Sequence, residues 1–199
     1  MTQLALDLSL SVSSVSAPVW AFGGSRRLPP AGATLAERAA LALLRSGAEL
    51  VTGCCTGADA CALSAACSAG LAARVAVLTA FGPLGAGWPA GACPFSAVAA
   101  VRRAAGLGAS VRPWAGGPGS VPLSARLVAR TRAVARACTA GAVVVLAPGS
   151  RGALHLARAV ARRGLPVCVL PVAGAALPAL PGQWVPLAGA LEGLGYQVI

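Results

Sequence analysis

Three short glycine-rich stretches carry the residue types that hold anions. They are Gly23-Gly24-Ser25-Arg26, Gly53-Cys54-Cys55-Thr56-Gly57-Ala58-Asp59 and Pro148-Gly149-Ser150-Arg151-Gly152. Glycine lets the backbone approach an anion closely and adopts positive φ angles without strain. The hydroxyls of Ser25, Thr56 and Ser150 add hydrogen-bond donors. The guanidinium groups of Arg26 and Arg151 can bind phosphate oxygens in pairs. This combination predicts a site for a phosphate-bearing ligand.

The pattern of apolar segments places these stretches at the ends of strands. Strands are predicted at 18–22, 49–52, 74–79, 110–114, 142–147 and 166–170, and an edge strand is predicted in the C-terminal YQVI. Helices are predicted at 33–45, 58–69, 95–105, 123–138 and 153–163. This alternation is typical of a Rossmann-like three-layer α/β fold with a mostly parallel central sheet. Ligands of such sheets bind outside the carboxyl ends of the strands, where the three glycine-rich stretches fall.

Length and composition set limits on domains and partners. The 199 residues suit a single domain, predicted at 17–199, preceded by an N-terminal tail or edge strand at 1–16. The chain is 57% apolar but only 11% charged, which predicts apolar surface buried in a homo-oligomer. Its formal net charge of +11 comes from 16 arginines against 5 acids, with no lysine. Such an excess attracts phosphates.

The apolar runs and the cysteines both have ordinary explanations. The longest uncharged runs are interrupted by Pro and Gly, so we expect no membrane span. The N-terminus lacks a basic segment, which argues against a secretory signal. Seven cysteines without CxxC spacing favour reduced thiols in a cytoplasmic protein, with no metal site and no cofactor. The adjacent Cys54 and Cys55 are interpreted as small residues that fill a tight turn.

Four segments resemble a known family in their order and spacing. They are FGGSRRLP, LLRSGAELVTGCCTGADACALSAACSAG, LVARTRAVARAC and AVVVLAPGSRGALHLARAVARRGLPVCVLP. Together, over about residues 18–172, they resemble the Rossmann-like SLOG superfamily, nearest to its DNA-processing protein A (DprA/Smf) branch. The chain departs from the family pattern at Thr131, where members have Asn, and at Arg151, where their turn has Gly. The resemblance implies a site for single-stranded nucleic acid or a nucleotide at the glycine-rich turns. The best-known members of the family bind single-stranded DNA and help load a recombinase.

The residues and the resemblance together give one candidate site and several candidate functions. The predicted phosphate-binding residues are Gly23, Gly24, Ser25, Arg26, Gly53, Thr56, Gly57, Asp59, Arg130, Arg132, Gly149, Ser150, Arg151 and Gly152. The leading hypothesis is a protein that binds single-stranded DNA. A small-nucleotide sensor or carrier, or a self-assembling structural protein, are the alternatives. A phosphoribohydrolase of a sister SLOG branch is disfavoured, because PGSRGALHLA has His155 or Leu156 where a catalytic Glu would be sought.

Several single residues keep two interpretations at this stage. Asp59 could contact the ligand or cap the helix that it begins. Arg126, Arg130, Arg132 and Arg136 could form a solvated helix face or contact phosphates. His155 is favoured as a structural residue, and the loop residues Trp88 and Trp114 as covers for a core edge or a subunit contact rather than as stacking platforms for bases.

Overall fold

A computed structural model describes residues 16–87 and 95–198 of the chain. The alternating segment predicted within residues 1–16, together with Trp88 and Cys93, lies outside the described residues, apart from Ser16. The strands are β1 (Val19–Gly24), β2 (Glu49–Thr52), β3 (Val75–Leu78), β4 (Ser110–Arg112), β5 (Gly141–Leu146), β6 (Val167–Pro171), β7 (Trp184–Pro186) and β8 (Tyr196–Val198). The helices are α1 (Pro30–Arg45), α2 (Ala58–Ser68), α3 (Phe95–Gly106), α4 (Leu123–Ala137) and α5 (Arg151–Ala161).

The strands form one sheet in the order β4-β3-β2-β1-β5-β6-β8-β7. Strands β1 to β6 pair in parallel, and β8 and β7 add two antiparallel pairings at one side. The mostly parallel α/β fold is therefore confirmed. The C-terminal YQVI was predicted as an edge strand, but β8 lies between β6 and β7. The edge strand on this side is β7, which the apolar pattern did not predict.

Helices cover both faces of the sheet. Helices α1, α2 and α3 bury their apolar sides against one face, which includes Val143 and Val145 of β5. Helices α4 and α5 pack on the other face, which includes Val144 and Leu146. All six residues of β5 are buried, as expected for a central strand covered on both sides. Among the described residues, no helix is long and apolar enough to cross a membrane.

Candidate functional site

The strand order reverses between β1 and β5, and a small pocket opens beside that point. From β1 the chain runs outward through β2, β3 and β4 on one side, and from β5 through β6 on the other. Parallel sheets bind ligands at such a reversal, outside the carboxyl ends of the strands. The pocket has a volume of about 40 Å³, enough for about three water molecules. It is lined by Phe22, Gly23, Gly24, Arg26, Gly53, Cys55, Asp59, Arg130, Thr131, Val134, Gly152 and Leu156.

The first glycine-rich stretch begins inside β1 rather than after it. Gly23 and Gly24 pair in parallel register with Val144 and Val145 of β5, so they were wrongly predicted to lie in a turn. A Cβ on Gly24 would lie 2.2 Å from the carbonyl oxygen of Val145, which no side chain permits. Glycine is therefore needed here for the close approach of two strands at the floor of the pocket.

The second stretch surrounds a buried ion pair. Arg130 of α4 donates from Nη1 to Oδ2 of Asp59 over 3.3 Å, and both side chains are less than a tenth exposed. The same carboxylate oxygen accepts the backbone N–H of Cys55 at 3.0 Å. A Cβ on Gly53 would lie 1.4 Å from Nη1 of Arg130. Gly53 thus leaves the space that the guanidinium fills, and Asp59 ties the loop and the beginning of α2 to α4.

The remaining glycine of this stretch, Gly57, has a φ angle of 73°. A Cβ there would lie 2.1 Å from the carbonyl oxygen of Ser25. The backbone N–H of Ala58 donates to that same oxygen over 3.1 Å. Gly57 therefore holds the second stretch against the first, while the neighbouring Thr56 is half-buried.

Cys55 belongs to the pocket, although its pair with Cys54 was interpreted as filler. Its Sγ accepts a hydrogen bond from Nη2 of Arg130 at 3.1 Å. The hydrogen bond with the Cys54 thiol, helped by the charges of Arg130 and Arg26, lowers the pKa of Cys55 to about 6 against the opposing effect of burial. Cys54 is instead a buried partner, and its Sγ accepts the backbone N–H of Ala80. The sequence signal that Cys55 belongs to the pocket was the position of Asp59, four residues later. This spacing lets the carboxylate of Asp59 reach back to the backbone N–H of Cys55.

The ionisable groups of this cluster shift one another's pKa values. Burial raises the pKa of Asp59, and the nearby Arg130 and Arg26 only partly offset that effect. Burial alone would lower the pKa of Arg130, but Cys55 and Asp59 outweigh it and raise that pKa. Arg130 therefore stays charged, and its Nε has no hydrogen-bond partner among the described residues. A buried cation that lines the pocket is suited to bind an anion that enters it.

The third stretch is tied to the first by hydroxyl groups. Ser25 is almost fully buried; its Oγ contacts the carbonyl oxygen of Val145 at 3.2 Å and accepts the N–H of Ala147 at 2.7 Å. Ser150 Oγ donates to Ser25 Oγ. We expected the hydroxyl of Ser25 to be available to an anion, but the protein itself occupies it. Ser25 therefore holds the ends of β1 and β5 together.

Helix α5 begins one residue after Ser150. Arg151 and Gly152 accordingly lie in its first turn, which contains no acidic residue, whereas they were predicted to precede the helix. Gly152 lines the pocket, Arg151 is exposed, and Gly149 turns the chain with a φ angle of 72°. A cation at the positive end of the helix dipole is unfavourable unless an anion is nearby.

The arginines of α4 divide into a buried and an exposed pair. Arg126 and Arg130 are 3% and 7% exposed, so the solvated-face interpretation is wrong for both, and neither Arg132 nor Arg136 is buried. Val134 and Cys138 continue the four-residue spacing of Arg126 and Arg130, and both are also buried. This spacing was the sequence signal for burial. Thr131 lines the pocket beside Arg130.

Arg126 fastens α4 to two loops away from the pocket. Its guanidinium donates to the carbonyl oxygens of Ala80, Gly87 and Val121 at 2.7 to 2.9 Å. Its Cζ lies 5.5 Å from the centre of the Trp114 ring. Trp114 is half-buried and packs closely over Gly82 and Gly87, in agreement with its interpretation as a covering residue.

Exposed arginines lie at the rim of the pocket and along helices α4 and α5, both of which contribute residues to its lining. Arg26 lies on its rim, and α4 and α5 expose Arg132, Arg136, Arg151 and Arg158. The sequence has no Asp or Glu between Ala60 and Leu191. His155 on α5 is half-buried, and burial together with Arg132 and Arg162 lowers its pKa. These side chains form a positive surface that extends from the pocket over the α4–α5 layer.

The comparisons with known proteins agree with the resemblance seen in the motifs. The family model of DNA recombination-mediator protein A matches residues 10–177. DNA processing protein A of Helicobacter pylori has a similar structure, with a TM-score of 0.59 and 21% identity over 78% of this chain and 65% of that one. DprA of Streptococcus pneumoniae has a TM-score of 0.54 and 24% identity over 82% of this chain and 53% of that one. The chain thus spans between half and two thirds of the length of these relatives.

No curated protein matches the chain significantly. The family match, however, covers most of the sequence, including β1 to β6 and every residue of the pocket. The chain belongs to the DNA recombination-mediator protein A family.

Proposed function

We propose that the chain binds single-stranded DNA, with a backbone phosphate at the pocket between β1, β2 and β5. The observation that carries this proposal is the pocket itself, in which glycines make room for the buried Arg130 and the exposed Arg26 lies on the rim. The exposed Arg151 adds further donors. Arginine groups around a small cavity suit an oxyanion better than an apolar ligand.

The pocket and the surface beside it together favour a polymer over a free nucleotide. The volume of about 40 Å³ has room for the oxygens of one phosphate, so a base and its sugar would lie outside it. The positive surface of α4 and α5 offers further phosphate contacts outside the pocket, which a strand can use and a mononucleotide cannot. The H. pylori relative is described as having a unique single-stranded DNA binding mode, which supports the same ligand class here.

The biological setting belongs to the same proposal. We infer from the family that DNA binding by this chain serves recombination in the cytoplasm, and that the domain is of the SLOG type. Self-association is also proposed, on the basis of the 57% apolar composition; light scattering that gives the mass of one chain at all concentrations would contradict it.

Fluorescence anisotropy with a labelled oligothymidylate tests the binding proposal. Arg26→Ala and Arg151→Ala should each weaken binding by about tenfold. Arg45→Ala removes the same charge from the exposed last residue of α1, on the side of the sheet where the strands begin. This variant should leave the affinity unchanged. Excess thymidine monophosphate should compete poorly. Equal competition by the monomer would favour the nucleotide sensor, and failure of the chain to bind the oligomer would refute the proposal.

A further inference from the structure

The pair Cys54-Cys55 contains one thiol that faces the pocket and one that does not. Cys55 lines the pocket, whereas Cys54 is 1% exposed and is absent from the lining. Arg130 Nη2 lies 3.1 Å from Cys55 Sγ. The second cation, on Arg26, also favours negative charge on that sulfur. The two adjacent thiols are therefore chemically unequal, and the reachable one is held beside two guanidinium groups.

The surroundings of Cys55 favour its thiolate. The hydrogen bond with Cys54, then Arg130 and Arg26, hold the pKa of Cys55 at about 6, although burial and the charge of Asp59 oppose this. Burial instead raises the pKa of Cys61, Cys67, Cys138 and Cys168. Since the thiolate is the nucleophile, Cys55 stands apart from the other described cysteines at neutral pH.

We propose that Cys55 is a redox modification site, at which hydrogen peroxide oxidises the sulfur that shares the phosphate pocket with Arg130. The thiolate sulfur attacks one oxygen of the peroxide, an S–O bond forms and the O–O bond breaks. The second oxygen leaves as hydroxide and takes up a proton to become water. Sulfur is oxidised to sulfenic acid and the peroxide is reduced. A pocket with room for about three waters admits hydrogen peroxide.

The product remains a sulfenic acid rather than a disulfide with Cys54. Consecutive Cα atoms are about 3.8 Å apart, whereas bridged cysteines usually have Cα atoms about 4.4 to 6.8 Å apart. A Cys54–Cys55 disulfide would therefore strain the loop. Arg130 stabilises the added oxygen, because its Nη2 already donates to Cys55 Sγ.

Oxidation at this place interferes with the ligand, a consequence that rests on the proposed function. The new oxygen occupies part of a cavity of about 40 Å³ and uses donors of Arg130 that a phosphate would need. Oxidised protein should bind single-stranded DNA about tenfold more weakly. Reduction with dithiothreitol should restore the affinity.

The site is tested by mass spectrometry after brief treatment of the full chain with hydrogen peroxide and a dimedone-type probe for sulfenic acid at pH 7. Cleavage before Asp59 separates Cys54 and Cys55 from the other five cysteines, which all follow it in the chain. The fragment with the adjacent pair should carry at least about tenfold more label than the fragment that holds those five. Equal labelling of the two fragments would overturn the proposal.

Two matched variants assign the sulfur. Cys54→Ser keeps a hydroxyl that can donate to Cys55, so labelling should persist; Cys55→Ser should remove it, with circular dichroism to confirm folding. Full labelling of Cys55→Ser would overturn the proposal.

Anisotropy on the same samples separates the proposed modification site from the proposed DNA binding. If Cys55 is labelled but unoxidised protein fails to bind DNA, the modification site stands and the proposed function falls. If DNA binds equally before and after labelling, redox control falls.

Discussion

At the scale of single residues, Gly53 shows how an absent side chain makes a charged site possible. A Cβ there would overlap Nη1 of Arg130 and lie 2.4 Å from Oδ2 of Asp59. Gly53→Ala should therefore displace the guanidinium and break the buried ion pair, which lowers the free energy of unfolding by about 3 kcal/mol. Urea denaturation followed by circular dichroism measures this change.

Gly152→Ala is the matched control, since Gly152 is already helical and no atom beyond its chain neighbours and its own helix backbone lies within 4 Å of its Cβ position. It should change stability by less than about 1 kcal/mol. Equal losses in the two variants would show that Gly53 has no special relation to Arg130.

Cys55 should give stability a pH dependence that a serine cannot reproduce. Its folded pKa of about 6 lies below the ordinary cysteine value of about 8.5, so the unfolded chain binds more protons between these values. Its contribution is thus complete above the unfolded pKa and is lost as the pH falls towards 6. The stability of wild type relative to Cys55→Ser should rise between pH 6 and pH 8, by up to about 1.4 kcal/mol per pH unit. A difference that is constant across this range would contradict the assignment of a thiolate.

At the scale of elements, helix α4 is fixed by arginines rather than by apolar residues alone. Arg126→Met should remove its three hydrogen bonds to loop carbonyls and lower the free energy of unfolding by at least about 2 kcal/mol. Arg136→Met, in the same helix but exposed, should change it by less than about 0.5 kcal/mol. Urea denaturation followed by tryptophan fluorescence measures both. Similar effects at the two positions would mean that Arg126 does not fasten the helix.

The sequence predicted the elements that have regular patterns and missed those that depend on distant contacts. Apolar runs and glycine ends located β1 to β6 and helices α1 to α5 of the described residues to within a few residues. Strand β7 was missed because Trp-Val-Pro is short, and it is a strand only through its pairing with β8. The burial of Arg126 and Arg130 was missed because charged residues are seldom buried without partners. The partners here are loop carbonyls and Asp59, which no local pattern reveals.

The candidate site was predicted in its location more than in its chemistry. Parallel topology brings the three glycine-rich stretches to one edge of the sheet, so the pocket lies where the pattern placed it. Within the pocket, Ser25 joins β1 to β5 instead of offering its hydroxyl to an anion. Cys55 lines the cavity instead of only filling a tight turn. Which polar group faces an open pocket depends on side-chain packing across four elements, and a single sequence contains no record of that packing.

At the scale of the whole molecule, charge is distributed very unevenly. The formal net charge is +11, and the long segment between Ala60 and Leu191 contains no acid. Phosphates bound along such a surface release counterions, so affinity must fall as salt rises. The salt dependence of the affinity therefore reports how many phosphates of the bound DNA the arginines contact. Arginine variants then show how many of these contacts lie at the rim of the pocket and how many lie on the rest of the surface.

The most direct test of the account is the salt dependence of oligothymidylate binding by wild type, Arg26→Ala/Arg151→Ala and Arg45→Ala. For single strands, each phosphate contact contributes about 0.7 to the slope of log affinity against log salt. The account predicts that the double variant loses about 1.4 from the wild-type slope, while Arg45→Ala keeps the full slope. A double variant with an unchanged slope, or affinity that does not respond to salt, would contradict it.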